Sequence, residues 1–171
     1  LPAAYLLNEA WLRGYKFYVD ERVIVPRSFI AELLRPRLVP WIKDPARVRA
    51  ALDLCTGSGC LAILLASAYP TADVDAVDIA TDALAVAQRN VADYGLADRI
   101  NLIRSDLFAN LAGKSYDLII SNPPYVAGGD AALDDPALRH EPRVALTPEG
   151  DGLAALRHLV EEAPGYLRPG G

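Results

Sequence analysis

The stretch Ala50-Ala51-Leu52-Asp53-Leu54-Cys55-Thr56-Gly57-Ser58-Gly59-Cys60-Leu61-Ala62 decides the fold. An apolar run of strand length enters a turn holding two glycines, and a helical apolar run, Leu61 to Tyr69, leaves it. Gly57-x-Gly59-x-x-Ala62 satisfies the G-x-G-x-x-G/A pattern, in which glycines let backbone close on a ligand at a helix N-terminus. That pattern alone is weak. Asp78 strengthens it: it follows the next β-type run, Val74 to Val77, and lies 19 residues beyond Gly59. This is near the ~20-residue offset at which a carboxylate grips a ribose diol. Together these residues point to an adenosine-containing cofactor.

Working outward, helical and β-type runs keep alternating. Leu84 to Tyr94 reads as a helix with Gly95 at its C′ position, Ile100 to Ile103 as a strand, and Tyr116 to Ile120 as another. Short connections between such runs mean βαβ units, hence a parallel sheet covered on both faces, the α/β class. Upstream, Tyr5, Leu6, Leu7, Ala10 and Trp11 fall at helical spacing within Ala3 to Arg13, with Gly14 as a stop. Lys16 to Val19 and Val23 to Val25 suggest a hairpin around Asp20-Glu21, and Ser28 offers an N-cap for a helix from Phe29 to Arg35. Residues 1–45 are therefore expected to form a helix-and-hairpin linker and lid, and residues 46–171 the cofactor-binding domain. A long acidic stretch, Ala127 to Gly152, precedes a final helix, Leu153 to Ala163; loops of that length are usually functional or mobile. The chain has no Met and ends in a turn, Leu167 to Gly171, so the expectation is a piece of something longer. Its sheet should then stop before the later strands, leaving an exposed apolar edge and weak or absent activity.

The composition narrows the function. With 171 residues, 52% hydrophobic and 23% charged, the chain is a globular domain rather than a disordered or fibrous one. Its 17 Lys+Arg against 22 Asp+Glu give a net charge of −5, which leaves no duplex-gripping basic surface, and no sequence-specific nucleic-acid binding is expected. No apolar run approaches the ~20 residues that span a bilayer, so a cytoplasmic protein without a membrane partner is the expectation. Cys55 and Cys60 form no metal spacing with His140 or His158 and read as two small buried thiols; no metal is expected.

Two cofactors compete for the glycine turn, a nicotinamide dinucleotide and S-adenosylmethionine. Asp53 favours the second: a carboxylate beside a pyrophosphate would repel it, whereas it can anchor the ammonium of a methionine moiety. A plain turn residue satisfying backbone amides is the other reading of Asp53. Ser105-Asp106-Leu107-Phe108 follows the third strand. Asp106 could accept from an adenine amine while Leu107 or Phe108 covers the ring, or the segment could be an N-cap plus core packing.

The fourth strand runs into Ser121-Asn122-Pro123-Pro124-Tyr125, the most specific signal in the chain. Two prolines stiffen the loop and leave carbonyl oxygens free as acceptors. A planar amide or aromatic amine attacks well only when both N–H groups are held and its π-face is aimed at the electrophile. The Asn122 side-chain oxygen and the Pro123 carbonyl can accept those hydrogens, and Tyr125 can stack on the plane. Displacement at a sulfonium methyl moves positive charge onto the nitrogen, which the same acceptors stabilise without a strong base. Neither His need take part.

On these residues the chain resembles the HemK-type glutamine methyltransferases. Phe17 to Ser28, Asp53 to Cys60 and Arg139-His140-Glu141-Pro142 look like the PrmB branch, which modifies a large-subunit ribosomal protein, conventionally numbered three. The sister branch, acting on the Gly-Gly-Gln loop of peptide-chain release factors, usually has a glycine where Cys55 stands and Pro-Asp-Thr-Glu where Ser28-Phe29-Ile30-Ala31 stands. The resemblance implies a Rossmann-like S-adenosylmethionine-dependent methyltransferase fold. It also implies a cofactor loop of Cys55, Thr56, Gly57, Ser58 and Gly59, ribose and adenine contacts at Asp78, Asp106 and Leu107, and a substrate clamp of Asn122, Pro123, Pro124 and Tyr125. Arg27, His140 and Glu141 lie in family-like motifs without a derivable role. The rivals are base-amine methylation of nucleic acid, a nicotinamide oxidoreductase, for which no Tyr-x-x-x-Lys pair occurs, and a non-catalytic adenosyl-binding module.

Overall fold

The front of the chain departs from its sequence reading. In the computed structural model, which describes residues 1–136, 138–148 and 152–171, α1 is only Ala3–Leu7, closed by Asn8 at a left-handed φ of 50°. Strands β1 (Ala10–Leu12) and β2 (Tyr15–Phe17) pair antiparallel with Leu12 opposite Tyr15. Between them Arg13 and Gly14 take φ of 56° and 80°, positive at both central positions as a type I′ hairpin turn requires. The helix expected over 3–13 is thus a short helix plus a strand. The hairpin lies over 10–17, not 16–25; Gly14 serves the turn, and Val23–Val25 pairs with no strand among the described residues. Helix α2 (Ile30–Leu34) starts where expected, with Ser28 Oγ accepting the Ile30 N–H at 3.3 Å.

From β3 (Ala50–Leu54) onward the reading and the structure agree. It is followed by α3 (Cys60–Ala68), β4 (Asp73–Asp78), α4 (Thr81–Asp93), β5 (Ile100–Arg104) and β6 (Leu118–Ser121). The four strands form one parallel sheet in the order β5-β4-β3-β6. The chain reverses direction of winding between β3 and β6, so their carboxyl ends flank the crevice where α/β ligands bind. Alternation along the strands sends side chains to two cores. Ala51, Val74, Ala76, Ile100, Leu118 and Ile120 pack with α3, α2 and Phe17. Leu52, Leu54 and Val77 pack on the other face with Phe108, Leu111 and Tyr116.

Two helices follow, the short α5 (Arg143–Leu146) and the longer α6 (Ala154–Tyr166). Helix α6 lays Leu159, Ala163 and Tyr166 on the second core, with the Tyr166 ring stacked on Phe108 at 4.5 Å. Beyond it Leu167 makes a parallel bridge to Tyr116 along the flank of β6. The front segment sits on the far side, where Tyr5, Ala10, Val19 and Val23 pack against Ala83 and Val86 of α4. No helix among the described residues is long and apolar enough to cross a membrane.

Candidate active site

The glycine turn is built from backbone. Thr56 N–H bonds the Val77 carbonyl at 2.9 Å, holding the loop against β4, and Gly59 N–H returns to Thr56 O at 3.0 Å. Gly59 has φ of 79°, and a Cβ there would stand 3.1 Å from the Ala87 Cβ, so both conformation and the approach of α4 demand glycine. Cys55 adopts φ of 61° with a side chain attached, a conformation that costs about 1–2 kcal/mol for an L-residue.

Asp53 stands behind this loop, not at its mouth. Its side chain is fully buried and accepts the Thr56 hydroxyl at 2.7 Å, while Oδ1 has no partner. Burial pushes its carboxyl up to about 7, against the pull of the Thr56 hydrogen bond. Burial likewise pushes both thiols up to about 12, although Cys55 is only half-buried and faces a cavity while Cys60 lies in the core.

Asp78 ends β4 with both oxygens turned to backbone: Oδ2 accepts Gly57 N–H at 2.9 Å and Oδ1 accepts Ala80 N–H at 3.0 Å. Each oxygen keeps a lone pair for a further donor. Burial raises this carboxyl above the usual range, opposed by those amides. After β5, buried Ser105 donates to Leu107 O at 2.9 Å and accepts Asn110 N–H at 2.8 Å, shaping a turn with Leu107 at φ of 47°. Asp106 and Leu107 face the cavity, but Phe108 drops into the core beneath Tyr166. Of the two residues considered for covering a ring, only Leu107 is placed to do so.

Ser121 roots the Asn-Pro-Pro-Tyr loop by donating to Leu54 O at 2.9 Å. Asn122 and Pro124 line the same cavity of about 770 Å³ as Cys55, Gly57 and Asp78. Asp53, Thr56, Ser58 and Gly59, expected to touch a cofactor, are buried and do not line it. Pro123 is buried, and Tyr125 lies outside the cavity lining, 62% exposed.

Sequence reasoning missed the outer wall. Arg22, Val23 and Ile24 of the front segment close one side, and Val144, Ala145, Thr147 and Pro148 with the α6 residues Ala155, His158 and Glu162 close the other. His158 Nε2 lies 3.1 Å from Glu162 Oε1, whereas His140 is exposed. The front segment is fastened by Asn90 on α4, whose amide donates to Tyr18 O at 3.0 Å and Ser58 O at 2.8 Å and accepts Tyr18 N–H at 2.7 Å. Its one visible signal is a polar residue within the buried stripe Ala83, Val86, Ala87, Val91. Arg89 adds its guanidinium over the Tyr18 ring, 3.7 Å from the centroid. The Arg27 and Glu141 side chains, without a role in the sequence, form a bidentate ion pair at 2.6 and 2.7 Å. No group of three or more His, Cys, Asp or Glu among the described residues is placed to hold a metal.

A family model, methyltransferase small domain, matches residues 36–151, which include the glycine turn, Asp78 and the Asn-Pro-Pro-Tyr loop. The chain belongs to this family. Among its curated relatives is the ribosomal protein uL3 glutamine methyltransferase of Bordetella pertussis, 56% identical over 171 residues, covering 100% of this chain and 57% of the relative. The protein of the same name from Francisella tularensis is 46% identical, covering 99% and 54%. The chain thus spans somewhat over half the length of the relatives it matches. Solved methyltransferases share the Rossmann-like fold. The human METTL16 catalytic domain in complex with an RNA hairpin matches with a TM-score of 0.64 at 19% identity, over 89% of this chain and 58% of that one. A ribosomal protein L11 methylase from Lactobacillus delbrueckii matches with a TM-score of 0.56 at 20% identity, over 94% and 68%.

Proposed function

We propose that this methyltransferase-family chain moves a methyl group from S-adenosylmethionine to the side-chain amide nitrogen of a glutamine in large-subunit ribosomal protein uL3. One observation carries the reading: Asn122 faces the same cavity as Gly57 and Asp78, so an amide clamp and an adenosine site share one chamber. The relatives' name, at 46–56% identity, supports the substrate.

The residues fit the cofactor. The Asp78 oxygens keep lone pairs for a ribose diol, Ile79 and Leu107 would offer faces to adenine, and Asp106 on the same cavity lining would accept from its amine. Asp53, buried behind the loop and off the cavity wall, holds the turn through the Thr56 hydroxyl rather than touching the cofactor. When bound, S-adenosylmethionine supplies a methyl on a sulfonium sulfur, open to in-line displacement by nitrogen. The chain's own work is positional. The Asn122 Oδ1 and Pro123 carbonyl accept the two amide N–H groups, fixing the plane of the nitrogen and stabilising the positive charge that develops on it. Tyr125, exposed outside the cavity lining, would be free to pack on an amide arriving from solvent. One N–H proton then passes to water. Substrate on the ribosome places the reaction in the cytoplasm.

The test is to incubate the full-length protein with isotopically labelled S-adenosylmethionine and methyl-deficient ribosomal particles, then locate the label by mass spectrometry. A methylated uL3 glutamine is expected. Label on a release-factor Gly-Gly-Gln loop or on RNA, with none on uL3, would refute the substrate assignment.

A further inference from the structure

The two outer walls of the cavity are joined by one ion pair. Arg27 follows the front segment that supplies Arg22, Val23 and Ile24; Glu141 precedes α5, which supplies Val144 and Ala145. The two residues are 114 positions apart, and the two guanidinium ends each donate to a different carboxylate oxygen, at 2.6 and 2.7 Å. The Glu141 side chain is 1% exposed and also accepts the Val25 N–H at 3.4 Å, so the carboxylate binds backbone as well as guanidinium. A bidentate fork on a buried carboxylate is the directional form of an ion pair. The Lys16–Glu9 pair, 3.7 Å apart with both side chains exposed, is the loose kind that fixes nothing.

We propose that Arg27 and Glu141 are positioning residues for the transfer reaction: their ion pair latches the front segment to the loop that follows Asn-Pro-Pro-Tyr, keeping the cavity closed around the reacting groups. Neither touches substrate; they act through the walls they hold. The latch deepens the methyl-transfer reading in its turnover arm and is independent of it in its access arm.

Access is read at Cys55, the half-buried thiol on the cavity wall, with buried Cys60 as internal reference. The full-length protein, Glu141→Gln and Arg27→Lys are labelled with a maleimide, and modification is followed by mass spectrometry with and without S-adenosylhomocysteine. Labelling of Cys55 in Glu141→Gln is expected to run roughly fivefold faster or more, and S-adenosylhomocysteine should suppress the difference. For methyl transfer to uL3, kcat should fall roughly tenfold or more while the Kd for S-adenosylhomocysteine stays within about threefold, a loss of positioning rather than of binding. Arg27→Lys, which keeps the charge without the fork, should fall between. Surface variant Glu9→Gln should match wild type in both arms.

Wild-type Cys55 labelling and wild-type kcat in a folded Glu141→Gln would overturn the latch, as would a loss of cofactor affinity as large as the loss of kcat. If Glu141→Gln does not fold, Arg27→Lys decides by the same two readouts. A wild type that binds S-adenosylhomocysteine yet methylates no glutamine would sink the functional reading, while Cys55 labelling would still judge the latch.

Discussion

The inner and outer walls of the cavity are built by different means. The inner wall, from Asp53 to Gly59 with Asp78 and with Asn122 just past the end of β6, is made of neighbours in sequence or in strand register: a hydroxyl three residues from its carboxylate, an amide on the adjacent strand end, glycines at positive φ, Ser121 opposite Leu54. The outer wall, Tyr18 to Arg27 against α5, is held by polar side chains 72 and 114 positions from their partners. A site made this way has a floor whose shape is fixed with the sheet, and a closure that exists only when distant segments meet. Chemistry that needs exact placement belongs to the first, and control of entry to the second.

The division breaks if variants of the inner wall behave like variants of the outer one. The largest effect is expected at Asn122. Asn122→Ala should lower kcat on the order of 10²- to 10³-fold, about 3–4 kcal/mol, with little change in S-adenosylmethionine affinity, as when one preorganised transition-state acceptor is deleted. Steady-state kinetics alongside calorimetric titration read the two numbers; unchanged kcat would remove Asn122 from the mechanism.

A pH effect of similar size is seated at Asp53. Its folded-state carboxyl, pushed up to about 7 from 3.8 for a free side chain, holds a proton that the unfolded chain has already released over that interval. The folded state therefore binds more protons between about pH 4 and 7, so this group's stabilisation is present below that window and is lost as pH rises through it. The amount is on the order of 4 kcal/mol, at about 1.4 kcal/mol for each pH unit of that window. Asp53→Asn should flatten the decline, measured as the difference between wild-type and variant urea-unfolding free energies from pH 4 to 8. In the outer wall the sign reverses. The Arg22 hydrogen bonds lower Asp20 to about 2, so its contribution is present above the unfolded value and is lost only as pH falls toward 2.

The same division explains how much was readable from the sequence. The sheet, the glycine turn and the Asn-Pro-Pro-Tyr loop were legible because periodicity and short-range spacing encode them, and Asn122 lines one cavity with Gly57 and Asp78. The front was misread for a physical reason. Leu6, Leu7 and Trp11, counted as a helical apolar stripe, are 68%, 73% and 61% exposed, and Arg13-Gly14 makes a type I′ turn without the usual Asn or Asp. Asp53 was placed at the ligand because its position along the strand gives no sign that its side chain points behind the loop. Arg27 and Glu141 could be seen only as parts of motifs, since no local rule pairs residues so far apart.

The outer wall's own dependence on distant bonds is sharpened at Asn90. Asn90→Ala removes the donor to Tyr18 O and Ser58 O and the acceptor of Tyr18 N–H, leaving buried polar groups of two segments without partners. A loss of about 2 kcal/mol in unfolding free energy is expected. Amide exchange of Tyr18 should accelerate more than that of Leu52 in the central strand β3. Equal acceleration at both would mean that the front segment opens only with the whole domain.

The smallest effect tests whether backbone conformation really governs the inner wall. At φ of 61°, Cys55 carries a left-handed cost that glycine would not, while losing the side chain forfeits partial burial and the contact with Ser121. These terms nearly cancel, so Cys55→Gly should leave stability within about 0.5 kcal/mol of wild type, glycine's greater unfolded-state entropy included. Cys55→Ala keeps the strain and loses the sulfur. It should therefore be less stable than Cys55→Gly by about 1 kcal/mol, the reverse of the order found in helices and strands. Thermal unfolding of the two variants side by side gives the sign. Alanine above glycine would mean that side-chain packing, not the turn of the chain, sets the shape of the floor at this position.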